Sequence, residues 1–150
     1  MKKFRVLVIL IVLFALALPV TNLFAKPNNT GALGALGLDA KAVAAIPESK
    51  CVVCHTAGAE LPYYAGLPVA SGMMQADIEN AREYLDWNEQ APDSEVALAK
   101  LERVVEDGSM PPLKYKLAHW DAGLTADETA ALLAWIHQVR AEGPLVAGHR

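Results

Sequence analysis

Cys51-Val52-Val53-Cys54-His55 is the stretch on which the reading of this 150-residue chain turns. Two thiols separated by two residues fall on one turn of backbone. From there both can add to the vinyl groups of a haem and form thioethers along one porphyrin edge. The residue that follows is directed under the macrocycle, where its imidazole binds iron. Cys51 and Cys54 are therefore the expected points of attachment for one covalent haem c, and His55 the expected proximal iron ligand. The chain has two cysteines in all, so three other chemistries compete. An exported protein with two cysteines ordinarily forms one disulfide. A thioredoxin-like redox pair sits in a βαβ setting, and no segment here shows strand alternation. A zinc site needs a second Cys/His pair at suitable spacing, which the sequence lacks. Haem attachment alone accounts for the cysteines, the histidine and their order.

The N-terminus supplies the compartment. Met1-Lys2-Lys3-Phe4-Arg5 is a short basic start, Val6 to Val20 is an uncharged apolar run, and Leu23-Phe24-Ala25 ends on a small residue. That order is a secretory signal over residues 1–25. The rival reading is an uncleaved anchor, because the uncharged stretch 6–25 is about long enough to span a bilayer. In either case the rest of the chain is expected outside the cytoplasm, in the periplasm or tethered to the inner membrane. The basic residues stay on the cytoplasmic side. The formal charge is −4, and losing Lys2, Lys3 and Arg5 would bring it to −7. Such an acidic balance excludes a nucleic-acid binder, which needs basic surface for phosphates. It suits a redox partner protein with a basic docking surface, and a membrane partner only if the signal is uncleaved. The stretch from Asp77 to Asp107 is the most acidic, although it reads first as an ordinary solvated helical surface.

The remaining pattern predicts an all-α domain with long loops wrapped around the haem. Residues 26–46 read as a flexible lead-in, 47–142 as the domain and 143–150 as a tail. A short helix is expected from Asp39 to Ile46, closed by Pro47. Glycines and prolines mark Thr56 to Gly72 as loop. Met74, Ile78, Ala81 and Leu85 fall at helical spacing. Ser94 to Asp107 reads as an amphipathic helix capped by Ser94 and stopped at Gly108. Tyr115 to Gly123 reads as loop. Thr125-Ala126-Asp127-Glu128 is a capping box opening a last helix that Gly143-Pro144 ends.

A six-coordinate iron needs a second ligand. Met110 is the leading candidate, on an irregular loop between Gly108 and the stiff Pro111-Pro112 pair. The alternative use of such a methionine is to fill the core. His119, beside Trp120, is the runner-up distal ligand; its plainer reading is a surface or hydrogen-bonded loop histidine. Met73 and Met74 read as core, His137 as solvated and His149 as tail. The Nδ1 of His55 is expected to donate to a backbone carbonyl, with the nearby 58–62 stretch within reach. Lys50, Lys114 and Lys116 are candidates to face haem propionates, although each reads first as a surface lysine.

The C-x-x-C-H motif with the later Met110-Pro111 resembles class I c-type cytochromes. More narrowly, the chain is similar to small bacterial monohaem domains of the haem-binding domain family. The residues that carry this are Tyr63-Tyr64, Asp77-Ile78, Ala81-Arg82, Leu85-Asp86-Trp87, Gly108-Ser109-Met110-Pro111-Pro112, Tyr115, His119 and Trp135. The match covers roughly residues 47–138. The resemblance implies haem binding and, by analogy, electron transfer rather than catalysis. A haem enzyme or gas sensor with an open or His-ligated sixth site, such as a weak peroxidase, is the competing function. Some relatives in the family are fused to di-haem peroxidase domains, which this chain is too short to contain.

Overall fold

The computed structural model describes residues 1–31, 41–92 and 94–142. It is all-helical, with no strand among the described residues. Helix α1 spans Lys2–Asn22, α2 Lys41–Lys50, and α3 is a single turn, Val52–His55. A 3₁₀ turn follows at Tyr63–Gly66, then α4 (Pro68–Tyr84), α5 (Glu95–Glu106), α6 (Leu113–Ala118) and α7 (Ala126–Glu142).

Where capping chemistry is explicit, boundaries match the sequence. Ser94 Oγ accepts the Ala97 N–H at 3.3 Å to start α5, and Gly108, at φ +65°, carries the chain out of it. The capping box of α7 is reciprocal. Thr125 N–H donates to Glu128 Oε2 at 2.7 Å, and Glu128 N–H to Thr125 Oγ1 at 3.2 Å. The expected stop at Gly143-Pro144 lies outside the described residues, as do Asp39, His149 and the rest of the tail.

Three expectations are corrected. Pro47 lies inside α2 and does not close it; its carbonyl accepts the Cys51 N–H at 2.8 Å, so the helix feeds directly into the haem motif. Helix α4 begins at Pro68, not Met74. Pro68 was read as loop, but a proline at the first helical position loses no hydrogen bond and arrives with its φ already helical. Part of the loop expected over 115–123 belongs to α6, which follows Pro112 as its N-cap residue. The lead-in also does more than trail. Asn28 N–H donates to Glu60 Oε2 at 3.0 Å, the Asn29 side-chain amide accepts the Glu60 N–H at 2.8 Å and donates to the Glu60 carbonyl at 3.1 Å, and Val43 and Ile46 pack on the core.

The packing falls into three apolar clusters. Leu98, Leu101 and Val105 of α5 meet Leu132, Trp135 and Ile136 of α7. Val52 packs with Leu85, Trp87 and Ala97. Val53 packs with Tyr64 and Met74. The two variable residues of the motif are thus roots in different clusters, at 0 and 4 % exposed. Lys50 ties the sequence-distant halves together. Its Nζ donates to the Gly123 carbonyl at 2.6 Å and to Glu128 at 2.7 Å, so it is spent on the start of α7 and not on a propionate.

Ile136 is fully buried in the α5–α7 cluster. Ile136→Ala should cost about 2–5 kcal/mol, read as a lower urea midpoint of the haem-loaded protein, with the visible spectrum below the transition unchanged.

Candidate haem site

Helix α3 is so short that its position is set from outside. Cys51 opens it, His55 closes it, and Val52 and Val53 anchor it. The Leu85-Asp86-Trp87 segment then fixes His55. Nδ1 of His55 lies 2.8 Å from the Leu85 carbonyl, to which it donates, and the Trp87 N–H donates back to the His55 carbonyl at 3.0 Å. The Trp87 indole lies 5.9 Å, centroid to centroid, from the imidazole. A donor at Nδ1 leaves the Nε2 lone pair as the metal-binding atom. Burial lowers the His55 pKa against the opposing pull of the Leu85 carbonyl, so the ring is neutral, as a ligand must be. The carbonyl expected within 58–62 is thus Leu85, reached through the fold and not through local sequence.

Asp86 braces that segment from beneath. It is 4 % exposed. Its Oδ2 accepts from Arg82 Nε at 2.6 Å and its Oδ1 from the Asn88 N–H at 2.9 Å. The four-residue spacing of Arg82 and Asp86 was a legible helical ion-pair signal; what it supports was not.

Cys51 and Cys54 are both free thiols. Burial, then the neighbouring Cys54, pushes Cys51 up to about 12 while Lys50 opposes. Burial and Asp77 push Cys54 up to about 11. A reactive redox cysteine has the opposite shift, so the pair lacks the depressed pKa of a redox couple. Cys54 lines a cavity of about 840 Å³ whose other walls include Leu18, Tyr64, Ala70, Met74 and Tyr115. That volume lies within the roughly 300–1,000 Å³ of small-molecule and cofactor sites. A chiefly apolar cleft with the unpaired Cys54 thiol in its wall fits haem; Cys51 and His55 are joined to that wall through α3 and are not themselves among its lining residues.

Of the distal candidates, His119 is the better defined in space. It is not at the surface but 7 % exposed, stacked on Tyr115 at 4.1 Å, with Nε2 2.5 Å from the Tyr64 hydroxyl. Burial lowers its pKa, with Asp121 opposing and Lys26 assisting, and burial raises Tyr64 to about 12. Phenol and ring are thus both neutral, and Nε2 is already engaged by the Tyr64 hydroxyl. Met110 is half-buried between α5 and α6, ahead of a cis peptide to Pro111; it is not in the wall of the Cys54 cavity. Lys114 lines that cavity and pairs with Asp77. Lys116 reaches the Gly108 carbonyl at 3.5 Å. His137 is exposed and 3.1 Å from Glu102. Met74 is buried core, whereas Met73 is 56 % exposed and lines the cavity.

The model of the haem-binding domain family matches residues 8–138. The chain belongs to that family. It is also 36 % identical over 111 residues to "Cytochrome c peroxidase Ccp" of Escherichia coli (strain K12), covering 68 % of this chain and 23 % of that protein. No solved structure matches. This family member is thus an all-helical haem protein, and it spans under a quarter of the length of the curated relative it matches.

Asp86→Ala removes two hydrogen bonds from the segment that holds His55 and should destabilise the haem-loaded protein by about 2 kcal/mol. Asp86→Asn keeps the acceptor for the Asn88 N–H and should recover part of that loss. Thermal melts of the two variants check the order.

Proposed function

We propose that the chain is an exported monohaem c-type cytochrome that carries one electron. Cys51 and Cys54 would hold the haem as thioethers, with His55 as proximal and Met110 as distal iron ligand. The observation that carries this reading is the fixed, neutral imidazole of His55 on one helical turn with two unpaired thiols, of which Cys54 lines an apolar cavity. The haem supplies a one-electron couple, and a methionine sulfur opposite histidine raises its potential. This chain orients the ring through Leu85, and the apolar side chains of the Cys54 cavity would exclude water from a bound porphyrin.

The competing distal ligand, His119, would first have to give up the Tyr64 hydroxyl, which favours Met110. The name of the Escherichia coli relative keeps one further reading open to test, a peroxidase-like site with an open sixth position. Such a site needs distal acid–base groups facing the iron. The Tyr64–His119 pair is the nearest such chemistry, and it is closed on itself. An electron carrier with this acidic balance suits a partner whose docking surface is basic.

Protein matured with the c-type attachment machinery should carry one covalent haem, and its oxidised form should show the weak far-red band of methionine-ligated iron. Met110→Ala should remove that band and lower the potential by on the order of a hundred millivolts, within the roughly 0.8 V that axial ligands span. High-spin iron that binds added peroxide or cyanide rapidly in the parent protein would sink the carrier reading. An unchanged spectrum in Met110→Ala would transfer the distal role to His119.

A further inference from the structure

Helix α1 has two different ends. Its 21 residues are long and apolar enough to cross a membrane, with a mean hydropathy of 2.6. Side chains from Phe4 to Phe14 are exposed. The last turn is built into the domain. Asn22 is 1 % exposed, and its Nδ2 donates to the Ala118 carbonyl at 2.8 Å and lies 3.5 Å from His119 Nε2. The Tyr63 hydroxyl donates to Thr21 Oγ1, whose own proton goes to the Ala17 carbonyl at 2.7 Å. Leu18 packs with Val53, Tyr64 and Met74. Phe14, Ala17, Leu18 and Thr21 line the same cavity as Cys54. Lys26 pairs with Asp121 just beyond the helix. The Asn22 Nδ2 is thus partnered next to the Tyr64–His119 pair, whereas its Oδ1 is buried without a hydrogen-bond partner.

Depth follows from helical rise. From Lys3 to Asn22 the helix climbs about 28 Å, close to the ~30 Å of a hydrocarbon core, with Lys2, Lys3 and Arg5 held at the cytoplasmic face. Asn22 then lies at the outer edge of the apolar layer. Phe14 lies about 12 Å deeper, so the cavity mouth that it shares with the domain cannot stand clear of the bilayer. The side chains around that mouth suit this position. Leu67, Val69 and Met73 are 55, 78 and 56 % exposed and line the cavity. Leu113 and Leu117, one turn apart on α6, are 70 and 66 % exposed, and α6 packs on α1.

We propose that α1 is retained after export, that its last two turns form one wall of the haem cavity, and that the apolar rim Leu67, Val69, Met73, Leu113 and Leu117 rests in the outer interface of the lipid bilayer. The wall role rests on the haem reading above; the anchor and the rim do not.

The test uses the full chain matured in cells with the c-type attachment machinery. Intact mass should show residues 1–25 present, in a membrane fraction that alkaline washing does not release. A chain beginning at Lys26 and free in the periplasmic fraction would overturn the proposal. In phosphatidylethanolamine–phosphatidylglycerol vesicles, a photoactivatable lipid should label peptides containing residues 67–73 and 113–117 as well as α1; label confined to α1 would overturn the rim. Asn22→Leu should stay in the membrane yet shift the oxidised haem spectrum and lower the temperature at which it bleaches, with Asn22→Gln closer to the parent. A spectrum and bleaching temperature unmoved by Asn22→Leu would overturn the wall. A parent chain without covalent haem would overturn the haem reading, while the uncut mass would still support the anchor.

Discussion

The fold depends on the exchange of hydrogen bonds between His55 and the segment after α4. His55 gives its Nδ1 proton to Leu85 and accepts the Trp87 N–H on its carbonyl. One residue thus binds two neighbours of a chain segment 30 residues away, through its ring and through its backbone. The ring bond sets the tautomer and the direction of Nε2; the backbone bond locates the end of α3, which has too few residues to locate itself. Asp86 sits between the two partners with its carboxylate turned inward. Its contacts with Arg82 and Asn88 hold the Leu85 carbonyl and Trp87 N–H in place on either side. A metal ligand is well placed only when its supporting shell is rigid, and here that shell is mostly backbone.

The valines within the motif carry the same constraint into the packing. Val52 belongs to the cluster of Leu85, Trp87 and Ala97, Val53 to that of Tyr64 and Met74. A single helical turn points consecutive side chains about 100° apart, so adjacent residues reach different clusters. The cavity beside Cys54 borders the second of these. Apolar packing in the described residues is therefore divided, with the motif at the junction, and a haem in the Cys54 cavity would extend the second cluster. That is the arrangement expected when a modest chain relies on a cofactor for part of its core.

How much of this was readable in the sequence varied with the range of the interaction that decides it. The α5 and α7 boundaries were legible because their caps are local: Ser94 with Ala97, Thr125 with Glu128. The Cys51–His55 motif stood out in the sequence because its residues are contiguous. The span of α4 was not, since Pro68 and Gly72 speak for loop in isolation and only packing against Val53 and Tyr64 makes helix the better use of them. Leu85 as partner of His55 was invisible for a different reason: the acceptor is a carbonyl, which every residue has. The burial of His119 against Tyr64 and Tyr115 depends on α6, whose short span carries no helical periodicity of its own in the sequence.

Asn22 shows best what local reading misses. In a signal segment a polar residue near the end is unremarkable, and nothing around it in sequence points to Ala118 or His119. In the fold it is the point where α1 meets the domain. Placed at the end of a membrane-length helix, the Asn22 side chain reaches Ala118 directly and His119 beside it. Tyr64 then connects His119 to the cavity that Cys54 lines. On the proposed anchored reading, the position of the domain relative to the bilayer and the environment of its cofactor are set by the same few contacts.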